Sequence, residues 1–146
     1  MWALNALRIE KGYRAWKGDL STDYSLLEGG LDRFIDWTKE FTGKTAMLAE
    51  KQAGVKKRFV TLTLDAPGAA DAPYMSMIWQ DGVIVGEVTS GAWGYRIGQS
   101  VALGMLRPDL CVPGVKVEVE IFGTRFLATV QADAPLWDAR NERLRA

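Results

Sequence analysis

The side chains of this sequence limit the chemistry open to it. It contains no histidine and a single cysteine, Cys111. His/Cys zinc sites, Ser–His–Asp triads and Cys–His nucleophiles therefore cannot be assembled from its own residues. Proton transfer near neutral pH would fall to a perturbed carboxylate, lysine, tyrosine or thiol, or to a group on a ligand. Asp32 and Asp36 are spaced to share one face of a helix, or of a strand, as paired carboxylates; plain surface charge is the competing reading. Gly43-Lys44-Thr45 ends like a phosphate loop, yet the earlier glycine such a loop needs falls at Thr38, which favours a helix start. The run GAWGYRIG at 91–98 could cradle an anion on its backbone N–H groups. It lies between expected strands, where an ordinary loop is the simpler reading. Lys56-Lys57-Arg58 reads as the solvated entry to a strand. No GxGxxG follows a strand and opens a helix, so no flavin or NAD site is expected in this chain.

Composition sets the frame around these residues. The 146 residues suit one domain, or one domain with an attached subdomain. Hydrophobic residues at 48% and charged residues at 25% are ordinary globular values. Eighteen basic and eighteen acidic residues cancel, so no overall field draws the chain to nucleic acid or to an anionic membrane. No apolar run approaches the roughly 20 residues that span a bilayer. MWALNALRIEKG lacks the basic-then-apolar pattern of a secretory signal. A lone cysteine forms no internal disulfide, in keeping with a reducing cytoplasm.

The elements that must position any site change character once along the chain. Leu4, Leu7 and Ile9 among good helix formers predict a helix from Trp2 to Lys11, ended by Gly12. Turns around short ordered pieces are expected from Gly12 to Gly30. Leu31–Trp37 is mixed and leans towards strand. Thr42 is a candidate cap for a helix over Gly43–Ala53, with Ala46, Met47 and Leu48 on its apolar face and Gly54 at its end. Beyond Lys57 the pattern alternates. Val60, Leu62 and Leu64 face one way, Thr61 and Thr63 the other; Val115, Val117, Val119 and Ile121 alternate with Lys116, Glu118 and Glu120. Asp81-Gly82 and Gly123-Thr124 mark hairpin turns. With Ser100–Leu106, about six short strands imply an antiparallel barrel or sandwich. Pro67–Pro73 is the expected flexible loop. The predicted fold class is α+β, mainly β: a C-terminal antiparallel six-stranded β-barrel, jelly-roll or Greek-key-like, over about 57–134. An incomplete α/β segment, 1–56, precedes it, looks too short to close its own core, and should be less protected from hydrogen exchange than the barrel.

One stretch carries more information than these patterns. LRIEKGYRAWKGDLSTDYSLLEGGLDRFIDW, from Leu7 to Trp37, together with FTGKTAML at 41–48, VTSG at 88–91 and the closing LWDARNERLRA, resembles the folate-dependent aminomethyltransferases. These are the glycine-cleavage T-protein family and the matching C-terminal portion of dimethylglycine and sarcosine dehydrogenases. The most specific part combines LRxExG with E-x-G-L and F-x-G-K. The folate-binding iron–sulfur repair family shares the fold, but its KGCYxGQ signature has no counterpart in FTGKTAML.

The resemblance implies an organisation and a ligand. Residues 1–56 would be the C-terminal remnant of a middle folate-binding α/β domain, and 57–146 an aminomethyltransferase-type C-terminal β-barrel domain with its tail. The cofactor would be tetrahydrofolate, and the catalytic aspartate would belong to upstream domains, in cis or on a separate chain. The chain would be a C-terminal piece, inactive alone, that walls the folate site and positions the ligand. Where this family usually has an aromatic, LEGGLDRF has Arg33, whose guanidinium could stack on a ring, pair with a carboxylate, or simply lie on the surface. Leu4 stands where T-proteins carry a glutamate-binding arginine, a departure that favours the dehydrogenase-like branch. The family's tail folds back towards folate, which implicates Arg140 and Asn141, with a plain solvated tail as the alternative. Glu10 and Glu28 belong to the motifs and are expected to hold structure, as caps or as partners of Arg8 and Arg14. A non-catalytic docking or assembly module completing a separately encoded partner is the second functional reading. Exposed tryptophans among the six would favour it, and a homodimer through that surface is a further possible arrangement.

Overall fold

Strand periodicity decides the architecture. A computed structural model describes residues 2–68, 70–143 and 145 of the chain. Six strands form in order: β1 (Arg58–Leu64), β2 (Met77–Gln80), β3 (Val83–Gly94), β4 (Gln99–Leu106), β5 (Lys116–Ile121) and β6 (Thr124–Val130). They close an antiparallel barrel in the order β1-β4-β3-β2-β5-β6. β2, β3 and β4 follow one another as hairpins while β1 returns beside β4, a Greek-key arrangement. Closure leaves no open sheet edge. The predicted mainly-β class with a six-stranded barrel is the observed one.

Alternation fills two separate cores. Val60, Leu62 and Leu64 of β1 point inward and meet Ile78, Val88, Val117, Val119, Ile121 and Val130. The opposite faces of β1 and β4 carry Phe59, Val101, Leu103 and Met105, and these pack under Ala6 and Ile9 of helix α1 (Trp2–Glu10). The sheet is thus covered on both sides here. Thr61 and Thr63, on the other face of β1 as expected, are buried too, and Gln131 closes over Thr63 with a 2.8 Å hydrogen bond to its hydroxyl.

Turn chemistry sets the register. Asp81 and Gly82, at φ 51° and 77°, form the expected two-residue hairpin turn. The second hairpin lies one residue earlier than predicted: Phe122 and Gly123 take the positive φ values, and Thr124 already pairs with Ile121. β3 also runs well past Val85. Gly91, Ala92, Trp93 and Gly94 pair with Ala102, Val101, Ser100 and Gln99, so half of the expected glycine loop is strand and only 95–98 turn. The apolar run of β4 needs a backbone partner along its whole length, and this segment supplies it.

The N-terminal segment divides. Residues 2–30 fasten onto the barrel, with Ile9 and Asp19 fully buried and Leu27 nearly so. From 31 to 56 no described residue is buried. Leu31–Trp37 is not a strand, because no neighbour offers it a ladder. It contains a single 3-10 turn, Asp32–Phe34. Helix α2 spans Lys44–Ala53; Gly43, not Thr42, is its N-cap, without a side-chain cap bond. Gly54 ends it as expected, its N–H donating to Glu50. In the expected loop 67–73, Ala69 lies outside the described residues, and Ala72 is buried in the barrel core.

Candidate functional site

Helix α1 ends where the chain's C-terminal tail returns. Lys11 and Gly12 donate N–H groups to Arg8 and Ile9 carbonyls, closing the helix. The Glu10 carbonyl then accepts from Leu136 N and Trp137 N, tying the tail to the helix. Lys11, 6% exposed, donates its ammonium to the carbonyls of Trp137 and Asp138 (3.3 and 2.6 Å) and to Asn141 Oδ1 (2.8 Å). Buried, this cation is held by oxygen acceptors and by an ion pair with Asp138 at 3.6 Å.

Against this junction lies an open cleft of about 360 Å³, between the turn after α1, the 3-10 turn and the tail. Lys11, Tyr13, Arg14, Arg33, Phe34 and Asp133 contribute to its wall. All three readings weighed for Arg33 meet in the structure: its side chain is 53% exposed, and its guanidinium lies 5.1 Å from the Phe34 ring centre and 3.7 Å from Asp133. Arg14 approaches the same carboxylate at 3.4 Å and stacks 3.9 Å from Phe59. Burial, opposed by Asp133 and reinforced by Arg33, holds the Arg14 pKa below that of an ordinary guanidinium. The cleft thus combines exposed aromatic surface with basic groups. That suits a flat anionic ligand; it contains no paired nucleophile and base.

Asn141 sits in the left-handed region at φ 58° and is held by Lys11, a cleft-wall residue. Arg140 precedes it and is exposed. Of the three residues singled out from the sequence, Arg33 lines the cleft and Asn141 is joined to its wall.

The other motifs resolve into structure. Lys44 pairs with Glu40 at 2.8 Å and bonds the Lys39 carbonyl. Asp36 accepts the Thr38 hydroxyl and N–H, which lowers its pKa and ties its charge locally. Glu10 caps the β3–β4 turn, accepting from Arg96 N (2.6 Å) and Ile97 N (3.2 Å). Glu28 and Ser25 exchange reciprocal bonds of 3.1 Å. Both glutamates hold structure as expected, but Arg8 and Arg14 pair elsewhere, with Asp19 and Asp133. Neither Asp19 nor Asp133 was singled out from the sequence: Asp19 pairs locally with Arg8 but takes Thr89 and Ser90 from 70 and more residues away, and Asp133 meets Arg14 from 119 residues away.

A second cleft, about 410 Å³, lies on the barrel wall and shares Asp133 with the first. Its Cys111 thiol is pushed up to about 11 by burial, so it is a poor nucleophile. Among the described residues there is no group of three or more Cys, Asp or Glu that could hold a metal ion, and no helix long and apolar enough to cross a membrane.

Residues 57–138 match the glycine cleavage T-protein C-terminal barrel domain. Mitochondrial dimethylglycine dehydrogenase of Rattus norvegicus is 41% identical over 88% of this chain, which spans 15% of that protein. A probable aminomethyltransferase of Thermococcus kodakarensis is 34% identical over 94% of this chain, which spans 36% of that protein. Among solved structures, the glycine cleavage system aminomethyltransferase T of Bartonella henselae superposes with a TM-score of 0.85. That match covers 94% of this chain and 38% of the other, at 23% identity, and speaks for the fold.

Proposed function

This chain belongs to the glycine cleavage T-protein C-terminal barrel family, and from that membership we propose that it serves a tetrahydrofolate-dependent one-carbon transfer enzyme. Its part there is to wall the folate site. The dimethylglycine dehydrogenase-like branch is favoured over the T-protein-like one by the 41% identity to the rat protein against 34% to the archaeal aminomethyltransferase. The chemical step belongs to other domains, in cis or on a separate chain; this chain holds and orients the ligand, which lowers the entropic part of the barrier.

The observation that carries the reading is the cleft at the end of α1, where Arg33 and the exposed ring of Phe34 meet the returning tail. Aromatic surface suits the pterin and benzoyl rings, and guanidinium groups suit the glutamate carboxylates. Arg33 is the proposed ligand contact, Asn141 holds the tail through Lys11, and Arg140 supplies positive charge beside it. A cytoplasmic location is proposed with it, in keeping with a sequence that holds only one cysteine. Calorimetric titration of the full chain with 5-formyltetrahydrofolate tests the assignment. Saturable binding near micromolar, about −8 kcal/mol, weakened in Arg33→Ala, is expected. No heat at millimolar ligand refutes it.

A further inference from the structure

We propose that Arg14 and Arg33 form a carboxylate-binding site in which the Asp133 side chain is a resident stand-in that a ligand carboxylate displaces. The inference deepens the folate reading by naming the group the cleft would grip, but it stands on separate observations. Only 7% of the Arg14 side chain is exposed, and its Nε–H is buried with no hydrogen-bond acceptor. A guanidinium carries five N–H donors, and leaving one dry and unpaired is unfavourable. Its contact with Asp133 is 3.4 Å, and that of Arg33 is 3.7 Å. A well-made guanidinium–carboxylate bond is shorter, about 2.7–2.9 Å, and commonly bidentate. Two cations thus share one carboxylate, 56% exposed on irregular chain, and neither is well satisfied by it.

The fold is built to keep Arg14 in this position. Its guanidinium rests on Phe59 and lies against Gly30, where φ is +66° and a Cβ would come within 2.8 Å of Nη2, so a larger residue there would push the end of the Arg14 side chain aside. Lys11 is not part of the grip, because its ammonium is already spent on Trp137, Asp138 and Asn141. An incoming carboxylate that reached both guanidiniums would replace two long contacts with a fork of short ones. The ligand class is therefore a short flexible carboxylic acid, met either free or as the glutamate end of a folate.

The test follows the arginine Nε–H resonances of the ¹⁵N-labelled full chain during titration with glutarate. Saturable shifts at Arg14 and Arg33 are expected. Asp133→Asn, which removes the competitor from an exposed position, should bind glutarate about fivefold tighter, and Arg14→Lys about tenfold weaker with its circular dichroism unchanged. No saturation by about 50 mM glutarate, or an affinity indifferent to Asp133→Asn, overturns the proposal. 5-Formyltetrahydrofolate and pteroate, which lacks the glutamate, then identify the source. Shifts with the first alone support the site and assign it to the folate tail. Shifts with glutarate but with neither pterin support the site, assign it to a free acid, and refute the folate reading instead.

Discussion

Asp19→Asn should destabilise the protein by about 3 kcal/mol. The carboxylate is fully buried and accepts from Arg8 Nη1 (2.7 Å), Ala15 N (2.7 Å) and the hydroxyls of Thr89 and Ser90. It joins α1, the turn at 15–20 and β3 at one point. Asparagine has nearly the same shape, so no cavity forms; what changes is charge and donor count. Its NH₂ must face either Arg8 and Ala15 N–H, which cannot accept, or the Thr89 and Ser90 hydroxyls, which must rotate from donating to accepting, and either way Arg8 loses its charged partner. Removing one member of a buried ion pair typically costs about 3–5 kcal/mol. Here the lower end applies, because Arg8 is 19% exposed and keeps Tyr13 O and Asn5 Oδ1 as acceptors. At about 2–4 °C per kcal/mol for a chain of this size, Tm should fall by roughly 6–12 °C. Urea unfolding followed by circular dichroism, checked by calorimetry, measures it. A companion cycle with Arg8→Met and Asp19→Leu should show the double variant losing less than the sum of the singles. A loss below about 1 kcal/mol for Asp19→Asn would refute the reasoning, since an exposed pair behaves that way.

Gly86→Ala should be severely disruptive, because its Cβ would lie 2.2 Å from the Met105 carbonyl on the paired strand β4; a loss of about 2–3 kcal/mol is expected. Equilibrium denaturation that shows Gly86→Ala within about 0.5 kcal/mol of the parent would contradict that contact. Tyr24 is pushed up to about 12 by burial and by Glu87, which accepts its hydroxyl. Its stabilising contribution is therefore complete below the unfolded tyrosine pKa of ~10 and is lost as pH rises through about 12. Ultraviolet titration should show a late ionisation that disappears in Tyr24→Phe; a curve that Tyr24→Phe leaves without the loss of a late step would be the opposing result. Hydrogen exchange should be fast in α2, which buries no residue, and slow in α1 and the barrel. Equal protection of α2 and α1 would mean that α2 is covered in solution.

Much of the barrel was legible because strand patterns are local. Val115 to Ile121 alternate strictly, and the structure makes Lys116–Ile121 a strand with the apolar residues inside. Asp81-Gly82 named its turn through the chemistry of positive φ. The candidate site was legible only in part. Arg33 stood out as an arginine where the resembled family usually has an aromatic, and the structure places it in the cleft wall. Asp133, which binds both Arg14 and Arg33, and Lys11, which clamps the tail, carry no local signal, since their partners lie about 100 or more residues away along the chain.

Composition and periodicity by themselves determined the fold class, the absence of histidine chemistry and the lack of a long apolar span, because each depends on residue type or short spacing alone. The tertiary structure decided which faces were covered. Alternation set Thr61 and Thr63 opposite the apolar face of β1 without saying what covers them, and the structure buries both, with Gln131 bonded to the Thr63 hydroxyl; Leu31–Trp37 read as a strand although no partner lies beside it. It also decided that two arginines far apart from Asp133 in sequence would meet on that single carboxylate. Burial and ion pairing are properties of distance in space, and a sequence orders only neighbours along the chain.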